Sequence, residues 1–290
     1  MRRLLAVAVL AVIAAAGLLA QQEDPPAQFS SRTDLVEIYA TVANAEGEPV
    51  IGLRREDFRV YENDQLQAVS TFAVGELPLT VALGIDRSWS MAGDPLRLAK
   101  QASQAFLRAL EPGDRSMVVA IGGDADVIAP FAMDRVDQGR AIAALDPWST
   151  TALHDAIIAA LDRLAPESGR QALVVFSDGT DRYSRATAAE VVARARRSNA
   201  LIYLIAFGTV RPPLLAELAV ITGGRSFLLR DVRDLQGTLA TVARELRYQY
   251  LLGYEPAERI EPQAPSWRSI RVVLETPGFR VRARDGYMAD

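Results

Sequence analysis

The chain has 290 residues, of which 50% are hydrophobic and 23% are charged, and its formal net charge at pH 7 is -4. This is the composition of a folded globular protein, and the charge balance gives no indication of nucleic-acid binding. Cysteine is absent and His154 is the only histidine, which excludes disulfides, thiol catalysis and metal sites built from cysteines or several histidines. Any bound metal must be held mainly by oxygen, which favours magnesium, manganese or calcium.

The N-terminus has the pattern of an export signal. Two arginines after the initiating methionine precede an apolar run over residues 4–20, and polar residues follow. We therefore expect residues 1–20 to form a secretory signal peptide, cleaved after Ala20 or Ala16. The alternative is a retained membrane anchor, and no other segment is apolar enough to span a membrane. An exported chain without cysteine fits a periplasmic or extracellular bacterial protein.

The next region, residues 27–76, is patterned as β-structure. Apolar and polar residues alternate over residues 36–42, and residues 58–62 form a second alternating run. Asn63-Asp64 predicts a hairpin turn that leads into a further strand over residues 65–72. These elements predict a small N-terminal β-module.

Residues 77–247 alternate between apolar runs and amphipathic segments, which predicts a mostly parallel, doubly wound sheet of the α/β class with helices on both faces. Six short apolar runs are predicted strands: residues 80–85, 117–121, 127–131, 172–176, 201–207 and 226–229. Six longer segments are predicted helices: residues 95–110, 134–145, 151–164, 186–198, 213–222 and 231–248.

β-structure returns in the last region, residues 248–290. Residues 269–275 and 279–283 are predicted strands on either side of a Pro-Gly turn. Neither this segment nor the N-terminal β-module is large enough to bury a core alone. We therefore expect the two to pack together, beside the α/β domain.

Oxygen-bearing side chains follow two of the predicted buried strands. Asp86, Ser88 and Ser90 come directly after the first, and Asp178 comes after the fourth. In open α/β sheets, ligands bind beyond the carboxyl ends of the strands at a topological switch point. If the two strands are neighbours, both aspartates lie there, and a polar loop that contains Thr151 can add a third hydroxyl. Such a donor set suits a hard divalent cation.

These residues resemble the metal-ion-dependent adhesion site of the von Willebrand factor type A domain. Asp86, Ser88 and Ser90 match its D-x-S-x-S element, Thr151 matches its threonine at a helix start, and Asp178 matches the aspartate of its "DG" motif. The resemblance implies a 3-2-1-4-5-6 sheet and a bound divalent cation, with Mg²⁺ expected first and Mn²⁺ or Ca²⁺ as alternatives. It also implies a non-enzymatic, adhesion-type module whose protein partner offers an Asp or Glu carboxylate to the metal.

Almost the whole chain is similar to bacterial exported proteins described as "VWFA-related". The similarity includes a lead-in over residues 53–63 and closing segments over residues 250–254 and 282–287. Two departures concern the site. Trp89 stands between the two serines where the family often has glycine, and Ser149-Thr150 precede the threonine where the family often has two glycines.

Two alternative functions stay open at this stage. A hydrolase could use the metal or His154, for instance in a Ser90–His154–Asp178 triad, but the chain has no G-x-S-x-G elbow, and we interpret His154 as a helix residue that supports a loop. A metal-free envelope scaffold would instead use its β-modules. Asp124 and Asp126 are interpreted as polar residues of a hairpin, with calcium binding there as an alternative.

Overall fold

The computed structural model describes residues 35–75, 77–257 and 266–289. The expected export signal over residues 1–20, with both candidate cleavage sites, lies outside these ranges. No helix within them is long and apolar enough to cross a membrane. All described residues belong to one compact unit, Asp34–Asp290.

The described residues form fourteen strands and six α-helices. The strands are β1 (Val36–Ala43), β2 (Phe58–Glu62), β3 (Gln65–Gln67), β4 (Val69–Val74), β5 (Leu79–Asp86), β6 (Arg115–Ile121), β7 (Ala125–Ala129), β8 (Arg170–Ser177), β9 (Leu201–Phe207), β10 (Arg225–Leu229), β11 (Tyr250–Tyr254), β12 (Ser266–Leu274), β13 (Arg280–Arg282) and β14 (Gly286–Ala289). The helices are α1 (Asp94–Ala109), α2 (Arg135–Ala143), α3 (Leu153–Leu164), α4 (Ala188–Arg196), α5 (Pro213–Thr222) and α6 (Leu235–Arg247).

A six-stranded sheet forms the centre of the middle region. Its strand order is β10-β9-β8-β5-β6-β7, and only β7 runs antiparallel to its neighbour. When the six strands are numbered from β5, this is the 3-2-1-4-5-6 order that the resemblance implies. The doubly wound α/β fold predicted from the sequence is confirmed, and β5 is the strand at which the chain changes direction across the sheet.

Helices cover both faces of this sheet. Helices α1, α2 and α6 contribute to one apolar core, whereas α3, α4 and α5 contribute to the other. Alternate residues of β5 separate the two cores, because Val81, Leu83 and Ile85 lie in the first and Ala82 lies in the second. A strand buried on both faces reads as a continuous apolar run, which is why this region was predictable.

The N- and C-terminal segments together build a β-module of two antiparallel four-stranded sheets. One sheet has the order β13-β1-β11-β4, and the other has the order β14-β12-β2-β3. Both sheets therefore mix strands from the two ends of the described chain, as expected of the flanking β-module. Their inner faces share one core that includes Ile38, Val60, Leu252 and Ile270. The domain boundaries at residues 27–76, 77–247 and 248–290 stay predictions.

Several details differ from the sequence-based expectations, including β11, which was not predicted as a strand. The predicted strand over residues 65–72 is two strands, because the chain leaves one sheet and enters the other at Ala68. Both short strands continue the same local pattern, and periodicity does not reveal a change of partner. The helix predicted to start at Thr151 starts at Leu153, and β14 was not predicted because its pairing with β12 is non-local.

A buried carboxylate joins the strands of the β-module. The side chain of Glu62, 3% exposed, accepts hydrogen bonds from the hydroxyls of Tyr254 at 2.6 Å and Tyr287 at 2.9 Å, and from the guanidinium of Arg268 at 2.7 Å. The donors come from β11, β14 and β12, whereas Glu62 ends β2. Removing the carboxylate takes away the buried negative charge that these three donors share.

We therefore predict that Glu62→Ala lowers the free energy of unfolding by about 3–5 kcal/mol, the usual cost of breaking a buried ion pair from one side. The matched control is Glu275→Ala, which removes the exposed partner of Arg59 and should cost less than about 1 kcal/mol. Urea unfolding followed by circular dichroism at pH 7 measures both. Similar losses in the two variants would contradict this role for Glu62.

Candidate metal centre

The site lies at the carboxyl ends of three adjacent central strands. β5 pairs in parallel with β6 on one side and with β8 on the other, and the two connections leave in opposite directions across the sheet. This is the crevice at which open α/β sheets bind ligands. The last residue of β5 is Asp86, and Asp178 follows the last residue of β8.

The loop after β5 folds around the Asp86 carboxylate. Asp86 is fully buried, and its Oδ1 accepts a hydrogen bond from the backbone N–H of Ser88 at 2.8 Å. One turn of 3-10 helix over Trp89–Met91 follows, and it brings the Oγ atoms of Ser88 and Ser90 to 3.0 Å from each other. The Trp89 side chain between them is 65% exposed. The D-x-S-x-S element is therefore a folded unit, with a carboxylate and two hydroxyls on one side of the loop.

A second hydroxyl supports Asp86 from the neighbouring strand. Ser177, the last residue of β8, donates a hydrogen bond to Asp86 Oδ2 at 2.5 Å and accepts one from the N–H of Gly179 at 3.0 Å. No role for Ser177 was predicted from the sequence. The sequence feature that could have indicated Ser177 is its position, because it is a polar residue at the end of a buried strand and directly precedes Asp178.

Asp178 lies close to the loop after β5. It lines a cavity of about 350 Å³ together with Ser90, and its Oδ1 accepts a hydrogen bond from the N–H of Thr180 at 2.9 Å. Burial raises the pKa of the Asp86 carboxyl above its ordinary value, hydrogen bonds from Ser177 and Ser88 lower it in part, and the charge of Asp178 raises it again. A cation beside the two carboxylates would stabilise both in their charged form.

Thr151 lies in the loop before α3 and is 3% exposed. Its backbone carbonyl accepts hydrogen bonds from the N–H groups of Arg182 at 2.9 Å and Tyr183 at 3.2 Å, so this loop is tied to the loop after β8. Within the described residues, the Thr151 hydroxyl makes no hydrogen bond. Ser149 has φ 63°, a left-handed conformation that favours glycine.

The oxygen atoms present suit a small hard cation. Mg²⁺ holds its ligands at about 2.0–2.1 Å in an octahedron, so adjacent ligand oxygens lie about 3 Å apart. The separation of the Ser88 and Ser90 hydroxyls has this value. The described part of the chain contains no group of three or more His, Cys, Asp or Glu side chains suited to a metal. Any cation here would depend on hydroxyls and on two carboxylates, as the sequence predicts.

His154 is used structurally. Its Nδ1 lies 3.0 Å from the carbonyl of Ala186 and 3.8 Å from the carboxylate of Asp181, and its backbone N–H donates to Asp181 at 3.2 Å. The carboxylate of Asp155 accepts hydrogen bonds from the backbone N–H groups of residues 185 and 186, both at 2.9 Å. These contacts attach the loop after β8 to the start of α3. The Nδ1 atom of His154 therefore contacts the loop after β8.

Comparison with known proteins agrees with the fold of the central domain. The family model described as "von Willebrand factor type A domain" matches residues 81–241. A solved von Willebrand factor type A protein from Catenulispora acidiphila is 16% identical, and the match covers 90% of this chain and 74% of that chain with a TM-score of 0.54. No curated protein matches the chain.

Two further solved structures share the fold. Proximal thread matrix protein 1 of the mussel byssus, solved with a zinc-occupied MIDAS motif, is 16% identical over 65% of this chain and 50% of that chain, with a TM-score of 0.54. The vWF domain of the type V pili tip protein Mfa5 from Porphyromonas gingivalis is 13% identical over 59% of this chain and 95% of that chain, with a TM-score of 0.51. Because the family match spans more than half of the 290 residues, the chain belongs to the von Willebrand factor type A domain family.

Proposed function

We propose that this protein is an exported protein-interaction module that binds a partner carboxylate through a divalent cation. The cation, Mg²⁺ in the first place, is held by the oxygen atoms of Asp86, Ser88, Ser90, Thr151 and Asp178. The observation that carries the proposal is the buried Asp86 with two serine hydroxyls 3.0 Å apart at the switch point of the sheet. Export rests on the signal-peptide pattern of residues 1–20, with a retained membrane anchor as the second choice.

The donor set allows a partner carboxylate to bind the metal. Two carboxylates and three hydroxyls neutralise a divalent cation without adding excess negative charge, and in an octahedron they leave one coordination position for water. A partner Asp or Glu can replace such a water and bind the metal directly. His154 supports a loop, so the proposal assigns no catalytic role to this chain.

Exposed aromatic residues beside the site support a protein partner. The side chains of Trp89, Trp148 and Tyr183 are 65%, 57% and 66% exposed. All three lie in the loops that carry the site, because the N–H of Trp89 donates to Ser149 at 3.1 Å and that of Tyr183 donates to Thr151 at 3.2 Å. Exposed tryptophan and tyrosine are the residue types enriched at protein interfaces and their hot spots.

Calorimetric titration of residues 21–290 with Mg²⁺ and with Mn²⁺ tests the metal. We expect one binding event that Asp86→Asn weakens by about tenfold or more, because the substitution removes a charge while nearly preserving the size of the side chain. The control, Asp124→Ala, removes an exposed carboxylate of the β6–β7 hairpin and should bind the metal as the wild type does.

Loss of binding in Asp124→Ala with retention in Asp86→Asn would place the cation at the hairpin instead. The absence of binding at millimolar metal in the wild-type protein would contradict a stable metal site. The metal-free scaffold would then be the better account.

A display library of random peptides, panned on the Mg²⁺-loaded protein and eluted with EDTA, tests the partner chemistry. We expect the EDTA-eluted peptides to share an Asp or Glu that is essential for binding. Trp89→Ala should lower the affinity for these peptides by about tenfold or more, because it removes an exposed aromatic contact. It should change the Mg²⁺ affinity by less than about twofold, because the Trp89 side chain supplies no metal ligand. Phe279→Ala, an aromatic truncation outside the site, is the control. EDTA-eluted peptides without a required carboxylate would contradict the proposal.

A further inference from the structure

A cavity of about 790 Å³ lies between the edge of the six-stranded sheet and the β-module. Its volume falls within the range of about 300–1,000 Å³ that is typical of ligand pockets. None of its lining residues belongs to the candidate metal centre. Residues of α5 and β10 line it on the side of the central domain, and residues 280–285 line it on the side of the β-module.

The lining pattern shows that the cavity runs along strand edges. All five residues of β10, Arg225–Leu229, line it, and so do the consecutive residues 280–285. A cavity over the face of a sheet would contact only alternate residues, as Ile270 and Val272 of β12 do here. β10 is the terminal strand of the central sheet, and β13 is the terminal strand of its own sheet. Two terminal strands therefore present their edges to the same space.

The edge of β10 is open to a further strand. On one side β10 pairs in parallel with β9. Within the described residues, the backbone groups of β10 on its other side have no hydrogen-bond partner. The five residues are all partly exposed, and Ser226 is small. Unpaired N–H and C=O groups at a sheet edge are a template for an added strand.

The charges around the cavity favour an acidic occupant. Five arginines line it against two acids, Glu245 and Asp285, and they are Arg211, Arg225, Arg280, Arg282 and Arg284.

One of the two acids is already engaged. Glu245 is buried, and its carboxylate accepts hydrogen bonds from the guanidinium groups of Arg225 and Arg282, each at 2.6 Å. Arg211 and Arg280 are exposed and make no ion pair or side-chain hydrogen bond with any described residue. The cavity therefore carries surplus positive charge, part of it on side chains free to pair with a ligand.

We propose that this cavity binds an extended acidic segment of a partner protein, which adds to β10 as a further strand. Its backbone pairs with the open edge of β10, and its Asp or Glu side chains pair with Arg211 and Arg280. Apolar side chains on the opposite face of the segment contact Ala216 and Val220 of α5. The site is independent of the metal centre, so it would bind with or without a divalent cation.

The test uses residues 21–290 carrying Asp86→Asn, in EDTA, so that the candidate metal centre cannot contribute to peptide binding. We expect a display library of random peptides to yield proline-free sequences that alternate apolar with acidic residues. A synthetic peptide from this set should bind about tenfold or more weakly to the Arg211→Glu/Arg280→Glu variant. The matched control is Arg108→Glu/Arg163→Glu, which reverses two exposed arginines outside the cavity and should leave the affinity unchanged.

Backbone pairing has a separate readout. N-methylation at alternate peptide positions should abolish binding in one register and leave it nearly intact in the other, because only alternate N–H groups face β10. Bound peptide should also slow hydrogen exchange of the β10 amides. Failure to enrich acidic peptides, unchanged affinity in the Arg211→Glu/Arg280→Glu variant, or tolerance of N-methylation in both registers would each overturn the proposal.

Discussion

The burial of one carboxylate at the end of the central strand organises the candidate site. Asp86 is fully buried, where its negative charge is costly, and hydrogen bonds from Ser88 and Ser177 offset only part of this cost. The same bonds fix the loop after β5 to the end of β8. The two serine hydroxyls and Asp178 are thereby held close to Asp86. A divalent cation is the natural counter-charge, and this links the stability of the loop to the proposed function.

Buried acidic side chains also connect the strands of the β-module to one another and connect the β-module to the central domain. Glu62 accepts hydrogen bonds from side chains of three other strands of the β-module. Glu245 on α6 forms ion pairs with Arg225 of β10 and Arg282 of β13. The second arrangement bridges the edge of the central sheet and the C-terminal segment. It positions the two strand edges around the cavity, so the proposed peptide site depends on an ion-pair network that spans both regions.

The sequence predicted those features that local pattern encodes. Apolar runs identified the strands of the central sheet, and the polar residues at their ends made Asp86 and Asp178 candidate ligands. The sheet change at Ala68 and the role of Ser177 were not predictable in the same way. Both depend on partners distant in sequence, and so does the buried pairing of Glu62 with Arg268. A polar residue in a strand gives no indication of which distant donor will reach it.

The central claim is that a cation is bound by the loop oxygens beyond β5 and β8. A crystal structure of residues 21–290 grown with Mn²⁺ tests it directly, because the anomalous scattering of manganese locates the ion. We expect an anomalous peak at bonding distance from the hydroxyls of Ser88 and Ser90, beside the carboxylates of Asp86 and Asp178. A well-ordered site without such a peak, or a peak only at the β6–β7 hairpin, would contradict it.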